Sequence, residues 1–415
     1  MFIQRETYLN KLIARKENRA IKVITGMRRV GKSFLLFNIY KNYLLELGIN
    51  ENHLIMIDLD GDEFEQYKDK HKLRKYIESK IIDHKMYYLF IDEIQLCAGF
   101  ESLLNGLNRK SNVDIYVTGS NSKFLSTDII TEFRGRGDEI RVYPLSFKEY
   151  YDALNVSFEE AWQEYYTYGG LPFLLTKKTD QEKISYLNQL WSFTYIKDVV
   201  ERNNLQDEQV MEKLLQILAS SIGSLNNPKR IADTFNSGKI KTTDITIKNY
   251  INYLLDAFLI NKAERYNVKG RKYIQTPSKY YFSDIGLRNA LLNFRQQEEN
   301  HIMENIIYNE LLNRGYNVDV GVIEERVLKE NKLTYKQLEV DFICNLGSYR
   351  MYIQSAFQIP NEEKMKQEER SLRLINDSFK KIIIVKDNIK AWRNENGTLI
   401  ISLQEFLLKP SSLNL

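Results

Sequence analysis

Apolar positions along the first third of the chain fall in short blocks separated by longer segments of helical periodicity. The candidate strands are Ile21–Thr25, Leu54–Leu59, Tyr87–Ile91, Ile115–Thr118 and Glu139–Val142. Strand-length runs that alternate with helical stretches predict a parallel sheet covered by helices. From about residue 145 to 208 the pattern turns helical, with Phe158–Tyr168 and Ile184–Arg202 as its clearest segments.

Residues 210–290 change signature again. An amphipathic helix is predicted over Met211–Ser221, a short one over Pro228–Phe235 and a longer one over Asp244–Phe258. Leu259–Arg265 and Lys272–Gln275 then flank Asn267-Val268-Lys269-Gly270-Arg271 as a two-stranded wing. Three helices followed by a hairpin are the order of a winged helix, whose third helix enters the DNA major groove. Beyond Glu298, a helix over His301–Arg314 precedes strand-like stretches at Leu338–Ile343, Met351–Gln358, Lys380–Val385 and Leu399–Ile401.

A chain of 415 residues with 43% hydrophobic and 27% charged residues is expected to form two to four domains rather than one core. No apolar run approaches the eighteen or so residues of a membrane span, and the segment Met1–Thr7 lacks the apolar core of a signal peptide. Cys97 and Cys344 are far apart, and His53, His71, His84 and His301 show no zinc-like spacing. A cytoplasmic protein with no membrane partner is the expectation.

Chemistry enters at residues 26–33, Gly-Met-Arg-Arg-Val-Gly-Lys-Ser, directly after the first strand. Gly26 and Gly31 allow the backbone to wrap a phosphate chain with its N–H groups and the next helix N-terminus directed at the anion. The nucleotide-binding set is then Gly26, Met27, Arg28, Arg29, Val30, Gly31, Lys32, Ser33 and Phe34. Lys32 reaches the β- and γ-phosphates of ATP, and the Ser33 hydroxyl sits on Mg²⁺. The strand Tyr87–Ile91 delivers Asp92 and Glu93 to the sheet edge. Asp92 is placed to hold Mg²⁺ through water and Glu93 to polarise the attacking water.

Two further segments leave alternatives open. In Thr118-Gly119-Ser120-Asn121-Ser122, Ser120 or Asn121 can sense the γ-phosphate, or the segment is ordinary turn chemistry. In Phe133-Arg134-Gly135-Arg136-Gly137, Arg136, with Arg134 second, can serve as an arginine finger supplied by a neighbouring subunit of a homo-oligomer, or both are surface arginines. The acidic stretch Asp58, Asp60, Asp62 and Glu63 reads as a solvated loop.

Charge singles out the middle of the chain. Between Asn226 and Ala290 there are twelve Lys or Arg against five Asp or Glu, whereas the whole chain carries only +4. Lys241, Thr242, Thr243, Thr246, Lys248 and Asn249 lie at or near the start of the third helix, and Lys269, Arg271 and Lys272 occupy the wing. These residue types contact phosphates and would position double-stranded DNA rather than read it. A protein-docking module with a solvated basic face has the same composition. In the last third, Glu304, Asp341 and Gln354 follow the helix-acid, strand-acid, strand-[EDQ]-x-K order of restriction-endonuclease-like cores, where such groups hold Mg²⁺. Ala356 stands where that order requires lysine, so cutting is expected to be weak or absent unless Lys364 or Lys366 folds back.

Taken together, Gly-Met-Arg-Arg-Val-Gly-Lys-Ser, Leu-Phe-Ile-Asp-Glu-Ile-Gln, Val-Thr-Gly-Ser-Asn-Ser, Arg-Gly-Arg, Tyr-Pro-Leu-Ser-Phe-Lys-Glu-Tyr and Tyr168-Gly169-Gly170-Leu171-Pro172 resemble the prokaryotic AAA-type ATPases that carry a C-terminal domain of unknown function. The resemblance implies an α/β P-loop fold with strand order 5-1-4-3-2. It also implies an ATPase core over residues 1–150, a helical lid over 151–208, a winged helix over 209–295 and a degenerate restriction-endonuclease-like domain over 296–415. The expected function is Mg²⁺-dependent ATP hydrolysis coupled to DNA engagement. The alternatives are a nucleotide-gated protein-binding scaffold and an ATP-controlled nuclease.

Overall fold

The computed structural model describes residues 3–120, 133, 135–205, 207–296, 298–329 and 332–414. The chain divides into two compact units. The first comprises residues 1–144 with Leu171–Phe173 and Asp256–Phe258, and the second comprises Leu145–Gly170, Leu174–Leu255 and residues 259–415.

The first unit is built on a parallel sheet of β1 (Ile21–Thr25), β2 (Leu54–Asp58), β3 (Tyr87–Asp92), β4 (Val113–Gly119) and β5 (Gly137–Arg141). Its order is β2-β3-β4-β1-β5, the expected P-loop order read from the other edge. Every residue of β1, β3 and β4 is buried, because helices cover both faces. One side of the core joins Val23, Ile57, Leu89, Ile91, Ile115 and Val117 to Phe100, Leu104 and Leu107 of the helix Phe100–Leu107. Burying each such side chain contributes about 1.5–3 kcal/mol.

Register aligns the strand ends. Thr25 lies opposite both Gly119 and Arg141, and Asp58 opposite Asp92, so all five strands deliver their last residues to one edge. The lysine inside β1 has a partner for its charge. Lys22 pairs with Asp114 of β4, donates to the Ala20 carbonyl at 2.9 Å and lies 4.6 Å from the ring centre of Tyr116.

In the second unit, helices Glu208–Ser220, Pro228–Ser237 and Asp244–Asp256 precede β7 (Ile260–Asn267) and β8 (Lys272–Phe282). Asp207 and Asn227 cap the first two helices by accepting from the Val210 and Lys229 N–H groups, and Pro228 opens the second. The hairpin is not isolated. It belongs to a nine-stranded sheet, β13-β14-β12-β11-β10-β9-β7-β8-β6, in which β7 runs parallel to β9 (Asn317–Lys329). The other members are β6 (Leu225–Asn226), β10 (Lys332–Leu346), β11 (Tyr349–Ala356), β12 (Lys380–Val385), β13 (Trp392–Arg393) and β14 (Leu399–Ser402). The helix Glu299–Asn313 comes before β9, and the helix Glu362–Arg373 links β11 to the parallel β12.

Tyr168-Gly169-Gly170 has a steric role in this unit. Asp284 caps the helix Ile285–Leu291 by accepting from Leu287 N–H at 3.0 Å, and its other oxygen accepts from Gly170 N–H at 2.7 Å. A Cβ on Gly169, whose φ is +82°, would lie 2.3 Å from Asp284 Oδ1. Burial pushes the Asp284 carboxyl up to about 6, against those backbone donors. Among the described residues, no helix is long and apolar enough to cross a membrane.

Candidate active site

The phosphate loop leaves β1 through Gly26 at φ +138°, where a Cβ would sit 2.2 Å from the Val142 carbonyl oxygen. Only glycine fits there. Gly31, at φ +91°, caps the helical run that begins at Lys32, and Arg29 also adopts a left-handed φ of 68°. Met27 and Val30 are buried and anchor the loop, whereas Arg28 is half-buried and Arg29, Ser33 and Phe34 are exposed. Pro172, brought in by the segment Leu171–Phe173, lies 4.0 Å from the Cβ position of Gly31.

Lys32 is buried, and its Nζ donates to the carbonyls of Gly26 and Met27, each at 3.0 Å. Ser33 Oγ donates to Asp92 Oδ2 at 2.6 Å, so the hydroxyl expected on Mg²⁺ and the carboxylate expected to hold the ion through water are adjacent. Thr118, at the end of β4, donates its hydroxyl to Asp92 Oδ1 and accepts the Glu93 N–H at 3.0 Å. Burial raises the Asp92 carboxyl above its usual range, opposed by the Ser33 and Thr118 hydroxyls. A carboxylate desolvated in this way gains most from a cation. Among the described residues no group of three or more His, Cys, Asp or Glu can hold a metal. One hydroxyl and one carboxylate fit Mg²⁺, which keeps several waters and takes substrate phosphates as its remaining ligands.

Glu93 has a φ of 48°, a conformation that costs a non-glycine residue on the order of 1–3 kcal/mol. Its Oε2 accepts from Gln95 Nε2 and, at 3.1 Å, from Ser120 Oγ. Ser120 thus touches the acid side of the site. Asn121 and Arg134 lie outside the described residues. Arg136 is exposed, and its carbonyl accepts Ile21 N–H at 2.7 Å, at the start of β1. It therefore stands at the sheet edge opposite Gly26, roughly a five-residue strand or ~16 Å from its own phosphate loop. No sequence signal marks Thr118 or Gln95 as a partner of these acids. Thr118 lies inside the quoted Thr-Gly-Ser-Asn-Ser segment, but no local pattern distinguishes its hydroxyl from its neighbours'.

The acids of the last third also converge. Glu304 and Asp341 are buried, Asp341 Oδ2 accepts from Ser355 N–H at 2.8 Å, and Gln354 Oε1 lies 3.4 Å from Asp341 N. The lysine among them comes from an unexpected strand. Lys279 of β8 is 2% exposed, with its Nζ 2.9 Å from Glu304 and 2.6 Å from Glu339, while Tyr281 donates to Glu304 at 2.6 Å. Burial alone would lower the Lys279 pKa, but Glu304, Glu339 and Asp341 raise it, and burial raises the Asp341 carboxyl well above its usual range. Lys364 and Lys366 do not fold back to this cluster. They pair along their own helix with Glu368 and Glu362.

An ammonium among these carboxylates offsets their charge as a metal ion would. Lys279→Met is accordingly expected to cost about 3–5 kcal/mol, because removing one partner strands buried charge. Denaturant unfolding reads this; a loss below about 1 kcal/mol would show that the lysine does not neutralise the cluster.

On the basic face, Lys241, Thr243, Lys248, Asn249, Lys269, Arg271 and Lys272 are exposed, and Thr242 and Thr246 are half-buried. Lys269 donates to the Glu324 carbonyl at 3.1 Å, so one wing lysine is engaged within the sheet.

A family model described as an AAA domain matches residues 18–151, and one described as a domain of unknown function (DUF8612) matches residues 159–298. An uncharacterized protein of Haemophilus influenzae is 35% identical over 389 residues, spanning 92% of this chain and 93% of that protein. An uncharacterized protein of Methanocaldococcus jannaschii is 28% identical over 396 residues, spanning 92% and 82%. Among solved structures, the Aeropyrum pernix ORC1 protein in complex with DNA aligns at 12% identity over 71% of this chain and 93% of that one, with a TM-score of 0.30. With both models placed in order and 92% of its length aligned at 35% identity to one relative, the chain belongs to the family of AAA-domain proteins that carry a domain of unknown function beyond the nucleotide-binding core.

Proposed function

We propose that the protein is a Mg²⁺-dependent ATPase whose nucleotide state is coupled to duplex DNA. The observation that carries the ATPase half is the contact of Ser33 with Asp92 beside a buried Lys32, with Glu93 one residue further on. The loop N–H groups bind the phosphate chain, and Lys32 exchanges its two carbonyl partners for phosphate oxygens. Mg²⁺, when bound, supplies positive charge at the β- and γ-phosphates. Ser33 and, through water, Asp92 would hold it, and Thr118 fixes the Asp92 rotamer.

Glu93 accepts the proton of the attacking water at its carboxylate. Gln95 and Ser120 both donate to its Oε2 and so orient the carboxylate, which makes Ser120, with Asn121 next in sequence, the link between γ-phosphate and base. Arg136 serves only a neighbouring subunit, since its own loop is at the far sheet edge. Residues 151–208 act as the lid in this reading, and residues 209–295 as the winged helix, with Lys241, Lys248, Arg271 and Lys272 on phosphates.

Duplex DNA at low ionic strength is expected to raise phosphate release, and DNA affinity is expected to fall steeply with salt. Unchanged turnover with saturating duplex and no salt-sensitive binding would remove the DNA half. The second reading, a nucleotide-gated protein-binding scaffold, is favoured by the pairing of β7 with β9, which ties the hairpin into the larger sheet. A nuclease is disfavoured, because Lys279 already supplies the cation to Glu304 and Glu339.

A further inference from the structure

Arg5 lies at the start of the helix Glu6–Ile13, far in sequence from the phosphate loop. It is nonetheless only 6% exposed and adopts a left-handed φ of 49°. Its guanidinium donates through Nη1 to the Val30 carbonyl at 3.3 Å and through Nη2 to the Tyr143 carbonyl at 2.7 Å, and lies 4.6 Å from the ring centre of Tyr8. The Tyr8 hydroxyl in turn accepts Tyr143 N–H at 3.0 Å. Adjacent Val142 accounts for the other end of the loop: its N–H donates to the Thr25 carbonyl at 2.8 Å, and its own carbonyl closes the space beside Gly26.

The geometry has a direct consequence for anion binding. In a trans peptide the C=O and the following N–H point in opposite directions. A guanidinium that holds the Val30 carbonyl on one side therefore directs the Gly31 N–H to the other. That N–H belongs to the loop whose backbone donors cradle the phosphates shared by ATP and ADP.

We infer that Arg5 is a positioning residue for nucleotide binding: through the Val30 carbonyl it sets the Val30–Gly31 peptide so that the Gly31 N–H joins the phosphate cradle. The planar fork matters, because one group must reach two carbonyls at once, which an ammonium on a flexible stem does less well. The inference rests on the nucleotide-binding reading of residues 26–33.

The experiment is equilibrium binding of fluorescent ATP and ADP, with steady-state ATPase rates, on the full chain carrying Arg5→Met or Arg5→Lys. Lys32→Ala serves as the loop control, and all measurements are made well below each variant's melting temperature. Arg5→Met should weaken ATP and ADP alike by about tenfold and raise KM in proportion, with kcat within about twofold, because the lost contact is equal in ground and transition states. Arg5→Lys should recover part of the loss. ATP and ADP affinities within about twofold of wild type in Arg5→Met would overturn the inference while leaving the nucleotide reading intact. A loss confined to ATP, or to kcat, would also overturn it. If the unsubstituted protein binds neither nucleotide, the underlying reading fails, and this inference with it.

Discussion

Glu93→Gln is expected to retain nucleotide affinity while lowering phosphate release by about 10²–10⁴-fold. Glutamine keeps the size of the side chain and can still accept from Ser120, so the left-handed backbone at this position has no new reason to move. What it loses is the ability to take a proton from water. Nucleotide titration and single-turnover hydrolysis on the same preparation separate the two effects. Equal turnover in wild type and variant would remove Glu93 from the role of base and leave Asp92 as the acid to examine.

Gly286→Ala is expected to be the most damaging single-atom change in the second unit. The added Cβ would lie 1.7 Å from the Tyr168 carbonyl oxygen, 2.2 Å from its carbon and 2.9 Å from Gly169 N. All three are backbone atoms, so no rotamer relieves the clash. Either Tyr168–Gly170 or the cap at Asp284 must shift, and with it the hydrogen bonds from Gly170 and Leu287 to that carboxylate. A loss of more than about 4 kcal/mol is expected by chemical unfolding. Gly238→Ala, whose nearest Cβ contact is 3.4 Å, should cost no more than about 1 kcal/mol and serves as the control. Matching unfolding curves for the two variants would show that the Tyr168 to Gly286 contact is not rigid.

The nucleotide loop and the sheet beneath it were legible because their signals are contiguous in sequence. Ile21–Thr25 followed by Gly26–Ser33 contains strand, turn and helix start in one stretch, and Tyr87–Asp92 carries its acid at its own end. Arg136 was legible as an arginine but not as a position. Only the pairing of Ile21 N–H with its carbonyl places it at the opposite edge from Gly26. The hairpin Ile260–Phe282 was likewise legible as two strands, while its place in a nine-stranded sheet depends on β9, some fifty residues later.

By itself the sequence determined the parallel-sheet architecture, the loop Gly26–Ser33, the pair Asp92-Glu93 and the order of Glu304, Asp341 and Gln354. Each is written in local periodicity or in a short spacing. Tertiary structure alone decided that Arg5 grips Val30, that Thr118 joins Asp92 to Glu93, and that Lys279 fills the acid cluster where Ala356 offers nothing. A buried charge is satisfied by whichever side chain the fold brings within hydrogen-bond reach, and between Arg5 and Val30 or Lys279 and Glu339 no spacing along the chain records that proximity.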